Sequence, residues 1–339
     1  MKYFKQAVLE KKNVIKIRKF RFPKLKNGQL LIKIFYSGVC KSQLMEALGL
    51  RGYDKWLPHG FGHEASGEVI DNNKSKKFKK KDKVICSWIR RPNSNVSGSG
   101  YHLLDDTRTK VNFGDVTTFG EFAIISENCV FKKPKNLSFK EAALFGCAIP
   151  TGMGMVFNEL SIKKKDNILL IGLGGIGLSS LIALKIKGLE KKTFILEKNY
   201  KKNNIARKLG FGNFLNLKEL NKKYQNYFDK CIETSGVNSL IEMGFKFINS
   251  NGHLIFASHP ENNKIIKINP HDLIKGKKIT GSWGGACNLD RDINKFSTLI
   301  KKKAIKLNIF FSKIYSLQQL DKALFDLKKN KTVRPIIKM

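Results

Sequence analysis

The chain has 339 residues, 42% of them hydrophobic and 10% aromatic, which is enough for packed interiors and more than one ordinary core holds. No stretch approaches the roughly 18 uncharged apolar residues of a membrane span, and Met1 to Val14 alternates apolar residues with lysine, unlike a secretory leader, so the expected location is cytoplasmic with no membrane partner. Lys+Arg 64 against Asp+Glu 27 gives a net charge of +37. The lysines are dispersed and arginine is scarce, which argues against dedicated nucleic-acid binding and leaves attraction of anionic ligands as the use of the charge.

Up to about Phe145 the sequence is β-rich, with short β-branched or aromatic runs at Leu30–Tyr36, Ala65–Ile70, Lys83–Ile89 and Phe122–Ile125. The polar, Gly/Ser-rich stretch Arg90–Gly100 reads as a loop. From Ile168 the rhythm changes. Ile168–Ile171 is a continuous apolar run suited to a strand buried on both faces, and a glycine turn and a helix over Ile176–Lys187 follow. Strands are expected at Thr193–Leu196, Asn213–Leu215, Asp229–Glu233, His253–Ala257 and Lys278–Ser282, with helices at Tyr200–Leu209 and Ser239–Ile248. That alternation predicts a parallel sheet wrapped by helices. Helices at Ile293–Lys302 and Leu317–Lys329 and a strand at Val333–Lys338 form a tail too short for its own domain. The expected organisation is a catalytic domain of 1–149 with 284–339, interrupted by a dinucleotide-binding domain of 150–283.

Ile168-Leu-Leu-Ile-Gly172-Leu-Gly174-Gly175-Ile-Gly177 is a glycine fingerprint in its required setting, with a strand before and a helix after. Gly172 allows the tight turn, Gly174 lets the backbone approach a pyrophosphate, and Gly177 allows close helix–strand packing. Glu197 ends the second strand, where a carboxylate accepts the ribose hydroxyls and repels a 2′-phosphate. This favours NAD over NADP, although Lys198 and Lys202 would soften the discrimination. The expected cleft lies between the domains, at the carboxyl ends of the strands.

Cys40, His63 and Cys147 are scattered, and a single buried cysteine or histidine is more often core than ligand. Together they supply two thiolates and an imidazole, the composition of a catalytic zinc site with an open position. Cys86, Cys129, Cys231 and Cys287 have no motif context and read as buried thiols.

Ser37-Gly-Val-Cys40-Lys-Ser42, Gly62-His63-Glu64-Ala-Ser-Gly67 and Leu144-Phe-Gly-Cys147-Ala-Ile-Pro-Thr151-Gly152 together resemble the ligand motifs of the zinc-containing alcohol dehydrogenases of the medium-chain dehydrogenase/reductase family, over nearly the whole chain. The resemblance implies an α/β fold, with a β-rich GroES-like catalytic domain plus a Rossmann doubly wound parallel-sheet domain. It implies one catalytic zinc on Cys40, His63 and Cys147, with Glu64 behind the metal as a tuning group or transient ligand. Ser42 would take the substrate proton, Thr151 would touch the nicotinamide, and Arg334 in Val333-Arg334-Pro335 would contact cofactor phosphate. The implied activity is hydride transfer between an alcohol, or its aldehyde or ketone, and NAD(H), in a homodimer or homotetramer.

Three departures stand out. No cysteine cluster for a structural zinc lies in Trp88–Phe119, so a single zinc and a differently built lobe are expected. Gln43 stands where the family often has aspartate, which weakens electrostatic tuning of a ligand. Met45 stands where some members have the histidine that ends a proton relay, leaving water or His59 as the exit, although the general behaviour of histidines favours reading His59 as a plain loop residue. Asp54 and Trp56 lie where pocket residues could arise. Other readings are a polyol or sugar-derivative dehydrogenase, a zinc-free quinone or enone reductase, and a basic nucleic-acid or surface-binding protein on a degenerate scaffold.

Overall fold

The structure, a computed structural model, describes residues 2–92 and 101–339. Residues 93–100 of the expected loop Arg90–Gly100 lie outside the described residues. The chain divides into one unit of Met1–Cys147, Asn288–Ser297 and Phe310–Met339, and a second of Ala148–Cys287 and Thr298–Ile309. Thr298–Ile309, placed with the first domain on sequence grounds, groups with the second unit.

The first unit runs β1 (Tyr3–Lys11), β2 (Val14–Arg21), β3 (Gln29–Gly38), α1 (Lys41–Ala47), β4 (His59–Gly60), β5 (Glu64–Asp71), β6 (Lys83–Ser87), β7 (Tyr101–Leu104), β8 (Lys110–Phe113), β9 (Phe122–Ser126), β10 (Val130–Lys132) and α2 (Phe139–Ala143). In the second unit α3 (Ala148–Gly154) precedes β11 (Ile168–Ile171), α4 (Gly175–Ile186), β12 (Thr193–Leu196), α5 (Tyr200–Lys208), β13 (Asn213–Leu215), α6 (Leu217–Lys223), β14 (Phe228–Glu233), α7 (Asn238–Phe247), β15 (Ile248–Phe256), α8 (Pro270–Ile274) and β16 (Lys278–Gly281). Then α9 (Leu289–Lys302) carries residues of both units, and β17 (Ile314–Ser316), α10 (Leu320–Lys328) and β18 (Ile336–Lys338) complete the first.

Two sheets build the first unit. One has the order β2-β1-β4-β8-β7, and the other β10-β6-β5-β3-β18-β17 with β9 also on β3. Inward-facing residues of the second sheet, Ile32, Ile34, Ala65, Val69, Val84 and Ile125 among them, form one apolar core, as period-two alternation dictates. The segment Trp88–Phe119, expected to build a distinctive lobe, carries the β7–β8 hairpin. Asp105 organises its turn by accepting from Thr107 N, Thr107 Oγ1 and Thr109 N at 3.0, 2.7 and 2.8 Å, and it also receives Arg18.

The second unit is a six-stranded sheet of order β13-β12-β11-β14-β15-β16, parallel throughout. Strand order reverses between β11 and β14, so the crevice beyond their carboxyl ends is the switch point where such sheets bind ligands. Leu169, Ile171, Cys231, Leu254, Ile241 and Phe245 pack one face.

Several boundaries differ from expectation, among them that of β15, which starts at Ile248 rather than His253. Strand β18 starts at Ile336 rather than Val333, because Pro335 has no N–H to donate. The segment Leu317–Lys329 opens as a 3₁₀ turn before α10. Helix α9 begins at Leu289, with Asp290 and Asp292 in its first turn, where acidic residues suit the helix dipole. The expected boundary at Pro150–Gly152 falls inside α3, whose first turn tolerates proline.

Candidate metal centre and dinucleotide turn

Strand ends bring the sulfur and imidazole groups together. β3 pairs antiparallel with β5, Ser37 opposite Ala65, so Cys40, just past the end of β3, lies beside His63, just before β5. β5 pairs with β6, Glu64 opposite Ser87, and Ser87 Oγ donates to Gly146 O at 2.7 Å. That bond fixes the turn whose next residue is Cys147. The ligand atoms of Cys40, His63 and Cys147 all lie within 4.8 Å of one another. His63 Nε2 is buried with no hydrogen-bond partner, an expensive state for a polar atom unless a ligand completes it. Two sulfurs and one imidazole nitrogen at this spacing could hold a tetrahedral metal ion with one position left over.

Glu64 threads through the same motifs. Its side chain is fully buried, and a Cβ on Gly38 would stand 2.1 Å from Glu64 Oε1, while one on Gly146 would stand 2.7 Å from Glu64 Cβ. The glycines preceding Cys40 and Cys147 are thus required by the glutamate that follows His63. Gly62 turns with φ +99°, and Thr118 Oγ1 would be 2.6 Å from a Cβ there, so the backbone bend that presents His63 also needs glycine. Ser37 and Thr118 donate their hydroxyls to Glu64 O at 2.8 and 3.3 Å. Sequence reading did not single out Gly38, Ser37 or Thr118, because only the packed site reveals what they touch.

Arg334 was expected at a cofactor phosphate; in the structure it is buried, and its guanidinium meets Glu64 Oε1 at 2.7 Å. The register explains the meeting. β18 pairs with β3, Ile336 opposite Gly38, and Val39 N donates to Pro335 O at 2.9 Å. Burial pushes the Glu64 carboxyl up, against the pull of Arg334. Burial also works against the Arg334 charge, but the neighbouring Cys40, Glu64 and Cys147 hold its pKa well above the ordinary value. A hydrogen bond from Cys147, helped by Arg334 and His63, holds the Cys40 thiol well below its usual range in spite of burial, while that bond and burial hold Cys147 well above it.

Helix α1 opens at Cys40. Gln43 Oε1 accepts from Cys40 N at 2.7 Å, so the glutamine standing in for aspartate positions a ligand's backbone. Ser42 Oγ is buried without a hydrogen-bond partner, and Met45 is buried. His59 lies in a second cluster: with Glu46 and Asp54 it offers ligand atoms within 4.8 Å of one another. Trp56 is exposed; Asp54 Oδ1 accepts from its backbone N–H at 2.9 Å and Oδ2 meets His59. Burial raises the thiols of Cys86 and Cys231, and that of Cys129 to about 11. Cys287 donates to Pro150 O at 3.2 Å.

In the second unit β11 ends at Ile171 and Gly172 turns with φ +85°. Thr234 Oγ1 donates to Gly172 O at 2.8 Å, and a Cβ on Gly177 would lie 2.0 Å from that same oxygen. Both glycines are therefore demanded by the turn itself. Gly174 differs, because a Cβ there would meet nothing within 4 Å. It is the N-cap of α4, a helix end whose first N–H groups have no partner within the helix. Glu197 is anchored by Leu173 N and Asn199 N, each donating at 2.8 Å to a different carboxylate oxygen, with Lys202 Nζ at 3.9 Å. Thr151 is buried in α3, beside Gly152, whose carbonyl accepts from Ser180 Oγ at 3.0 Å.

Residues 26–135 match the family described as "Alcohol dehydrogenase GroES-like domain" and residues 175–302 the family described as "Zinc-binding dehydrogenase". The chain is 24% identical to alcohol dehydrogenase class-2 isozyme 2 of Oryctolagus cuniculus, over 92% of this chain and 91% of that one. The fold is similar to that of benzyl alcohol dehydrogenase from Acinetobacter calcoaceticus, with TM-score 0.86, 20% identity and full coverage of both chains, 100% and 100%. It is also similar to that of acetophenone reductase from Geotrichum candidum in complex with NAD, with TM-score 0.80, 19% identity and coverage of 100% of this chain and 98% of that one.

Proposed function

We propose, from the premise that this chain belongs to the medium-chain, zinc-type alcohol dehydrogenase family, that Cys40, His63 and Cys147 hold its one catalytic zinc ion and that the turn Gly172–Gly177 with Glu197 holds its nicotinamide dinucleotide. The enzyme is an oxidoreductase that moves a hydride between an alcohol, or its aldehyde or ketone, and NAD(H). The observation that carries the site assignment is the trio of donor atoms within 4.8 Å of one another, with both cysteines buried and His63 Nε2 unpartnered. Zinc, when bound, lowers the pKa of an alcohol hydroxyl and polarises a carbonyl.

The chain's own residues do the rest. Ser42 Oγ, buried and without a partner two residues after Cys40, receives the substrate's hydroxyl proton. Gln43 fixes the backbone of Cys40. Arg334 offsets the charge of Glu64 behind the ligand cluster, so the cluster meets a paired rather than a bare carboxylate. The helix α4 N-terminus presents N–H groups and a favourable dipole to the pyrophosphate in the open space over Gly174. Each Glu197 oxygen has given one acceptor site to a backbone N–H and keeps another for a ribose hydroxyl, which favours NAD. Thr151 would touch the nicotinamide. The exposed edge strand β16, with Ile274 and Trp283 exposed nearby, supports assembly as a homodimer or homotetramer. Thiolate ligands call for a reducing compartment, and no helix among the described residues is long and apolar enough to cross a membrane, so we place the enzyme in the cytoplasm.

Metal analysis after dialysis, with NADH absorbance followed over a panel of primary alcohols, secondary alcohols, polyols and sugar derivatives, tests this reading. About one zinc per chain is expected in active enzyme. Activity with less than about half an equivalent would overturn the metal assignment and favour a zinc-free reductase.

A further inference from the structure

Alcohol oxidation releases one proton for each hydride, and both ligand cysteines and Ser42 Oγ are buried. The proton therefore needs a path of groups that can accept and pass it on. Ser42 and Glu46 sit four residues apart on α1, which places them on the same helix face with Cβ atoms about 5–6 Å apart. That gap is within reach of a side-chain rotation or one bridging water. At Glu46 the path meets His59, whose Nε2 lies 3.6 Å from Glu46 Oε1 and 2.9 Å from Asp54 Oδ2.

The histidine's tautomer is fixed by its other nitrogen. His59 Nδ1 lies 2.7 Å from Gly60 O, and a carbonyl oxygen only accepts, so Nδ1 carries hydrogen. Nε2 is then the atom that gains and loses a proton, and it stands between the two carboxylates. The His59 side chain is 10% exposed, and those of Glu46 and Asp54 are 25% and 27% exposed. Glu46 and Asp54 therefore each reach solvent, with the more buried His59 between them.

We propose that Glu46, His59 and Asp54 form the proton exit of this enzyme, carrying to solvent the proton that Ser42 receives; this rests on the zinc dehydrogenase reading above. The substrate O–H bond breaks toward Ser42 Oγ as the serine's own proton passes to the Glu46 carboxylate. The Nε2 proton that His59 shares with Asp54 Oδ2 passes through Asp54 to water, and Glu46 then delivers its proton to the vacated Nε2. The carbon's hydride goes to NAD⁺, so charge and atoms balance. Charged neighbours support the role: burial raises the Glu46 carboxyl, His59, Arg51 and His63 pull it down, and Asp54 pushes it up. A carboxylate held above the ordinary carboxylate range is a stronger base, so it takes a proton more readily from a hydroxyl.

The test compares wild type with the near-isosteric Glu46→Gln and with His59→Gln and His59→Ala, all zinc-loaded. We expect kcat for alcohol oxidation to fall about 10²-fold with zinc content and NAD affinity retained. The solvent deuterium isotope effect should grow, the pH profile should change, and added imidazole should restore part of the His59→Ala rate. In metal-free protein, ¹³C titration of the Glu46 carboxyl should move upward in His59→Gln. Unchanged kcat, isotope effect and pH profile in Glu46→Gln would overturn the relay alone. A second tightly held zinc lost in that variant would also overturn it, making the trio a cation site. Wild-type holoenzyme that oxidises no alcohol would instead overturn the parent reading, and the relay with it.

Discussion

Arg334 reaches Glu64 Oε1 across 2.7 Å with both side chains buried, joining the last strand of the chain to the motif that carries His63. The pair sits behind the two thiols, and both of them feel the guanidinium charge. Breaking one partner of such a pair strands a buried charge and costs about 3–5 kcal/mol. Arg334→Met should therefore destabilise the first unit by about that amount, read as a lower denaturation midpoint, and should weaken zinc retention. Glu64→Gln combined with Arg334→Met should recover most of the stability. If the double variant is no more stable than Arg334→Met, the pair is not the source of the loss.

The ligand trio predicts a clean separation of functions. Cys40→Ser or Cys147→Ala should lower zinc content and reduce kcat by about 10³-fold or more, as loss of several kcal/mol of charge stabilisation implies. NAD binding, built from the second unit, should survive. Metal analysis and a fluorescence titration with NADH check both halves, and retained turnover would refute the ligand role.

Two glycines should respond in opposite ways. A Cβ on Gly146 would lie 2.4 Å from Cys86 O and 2.7 Å from Glu64 Cβ, whereas one on Gly174 meets nothing within 4 Å. Gly146→Ala should cost about 1–3 kcal/mol through overpacking. Gly174→Ala should cost under about 1 kcal/mol as a helix-cap change, yet weaken NAD affinity about tenfold by crowding the pyrophosphate. Thermal melts with cofactor titrations distinguish these outcomes.

Cofactor choice turns on Glu197. Its carboxylate is held by Leu173 N and Asn199 N, so it is already aimed before ribose arrives. Removing it in Glu197→Ala should reduce the preference for NAD over NADP by about tenfold, on the scale of a hydrogen bond to a charged group. An unchanged ratio of the two kcat/KM values would count against the assignment.

Asp105 links stability to acid. Burial alone would raise its carboxyl, but bonds from Thr107, Thr109 and Arg18 hold it below the ordinary range. A depressed carboxyl contributes stability that is fully present above the unfolded value of about 3.9 and is lost as pH falls through the folded value. Asp105→Asn should therefore lower stability at neutral pH and flatten the acid limb of the stability curve. Equal steepness in both proteins would show that Asp105 does not drive it.

The strands of the parallel sheet and its glycine turn are legible in the sequence, because each is a local pattern. Ile168–Ile171 is apolar at every position, and Gly172 needs its positive φ within the same few residues that spell the motif. The sequence also supplied Cys40, His63 and Cys147 as residue types, through resemblance to known ligand motifs. The packed structure shows why Gly38 and Gly146 flank two of them: Glu64, on another strand, crowds a Cβ at both positions, and Cys86 O crowds one at Gly146 as well. It likewise shows Arg334 against Glu64, through the register of β18 on β3. It also gathered Glu46, Asp54 and His59 from a helix, a loop and a two-residue strand. These relationships depend on strand pairing across long separations, and no local pattern of residues encodes the distance between atoms that meet only after the sheets have formed.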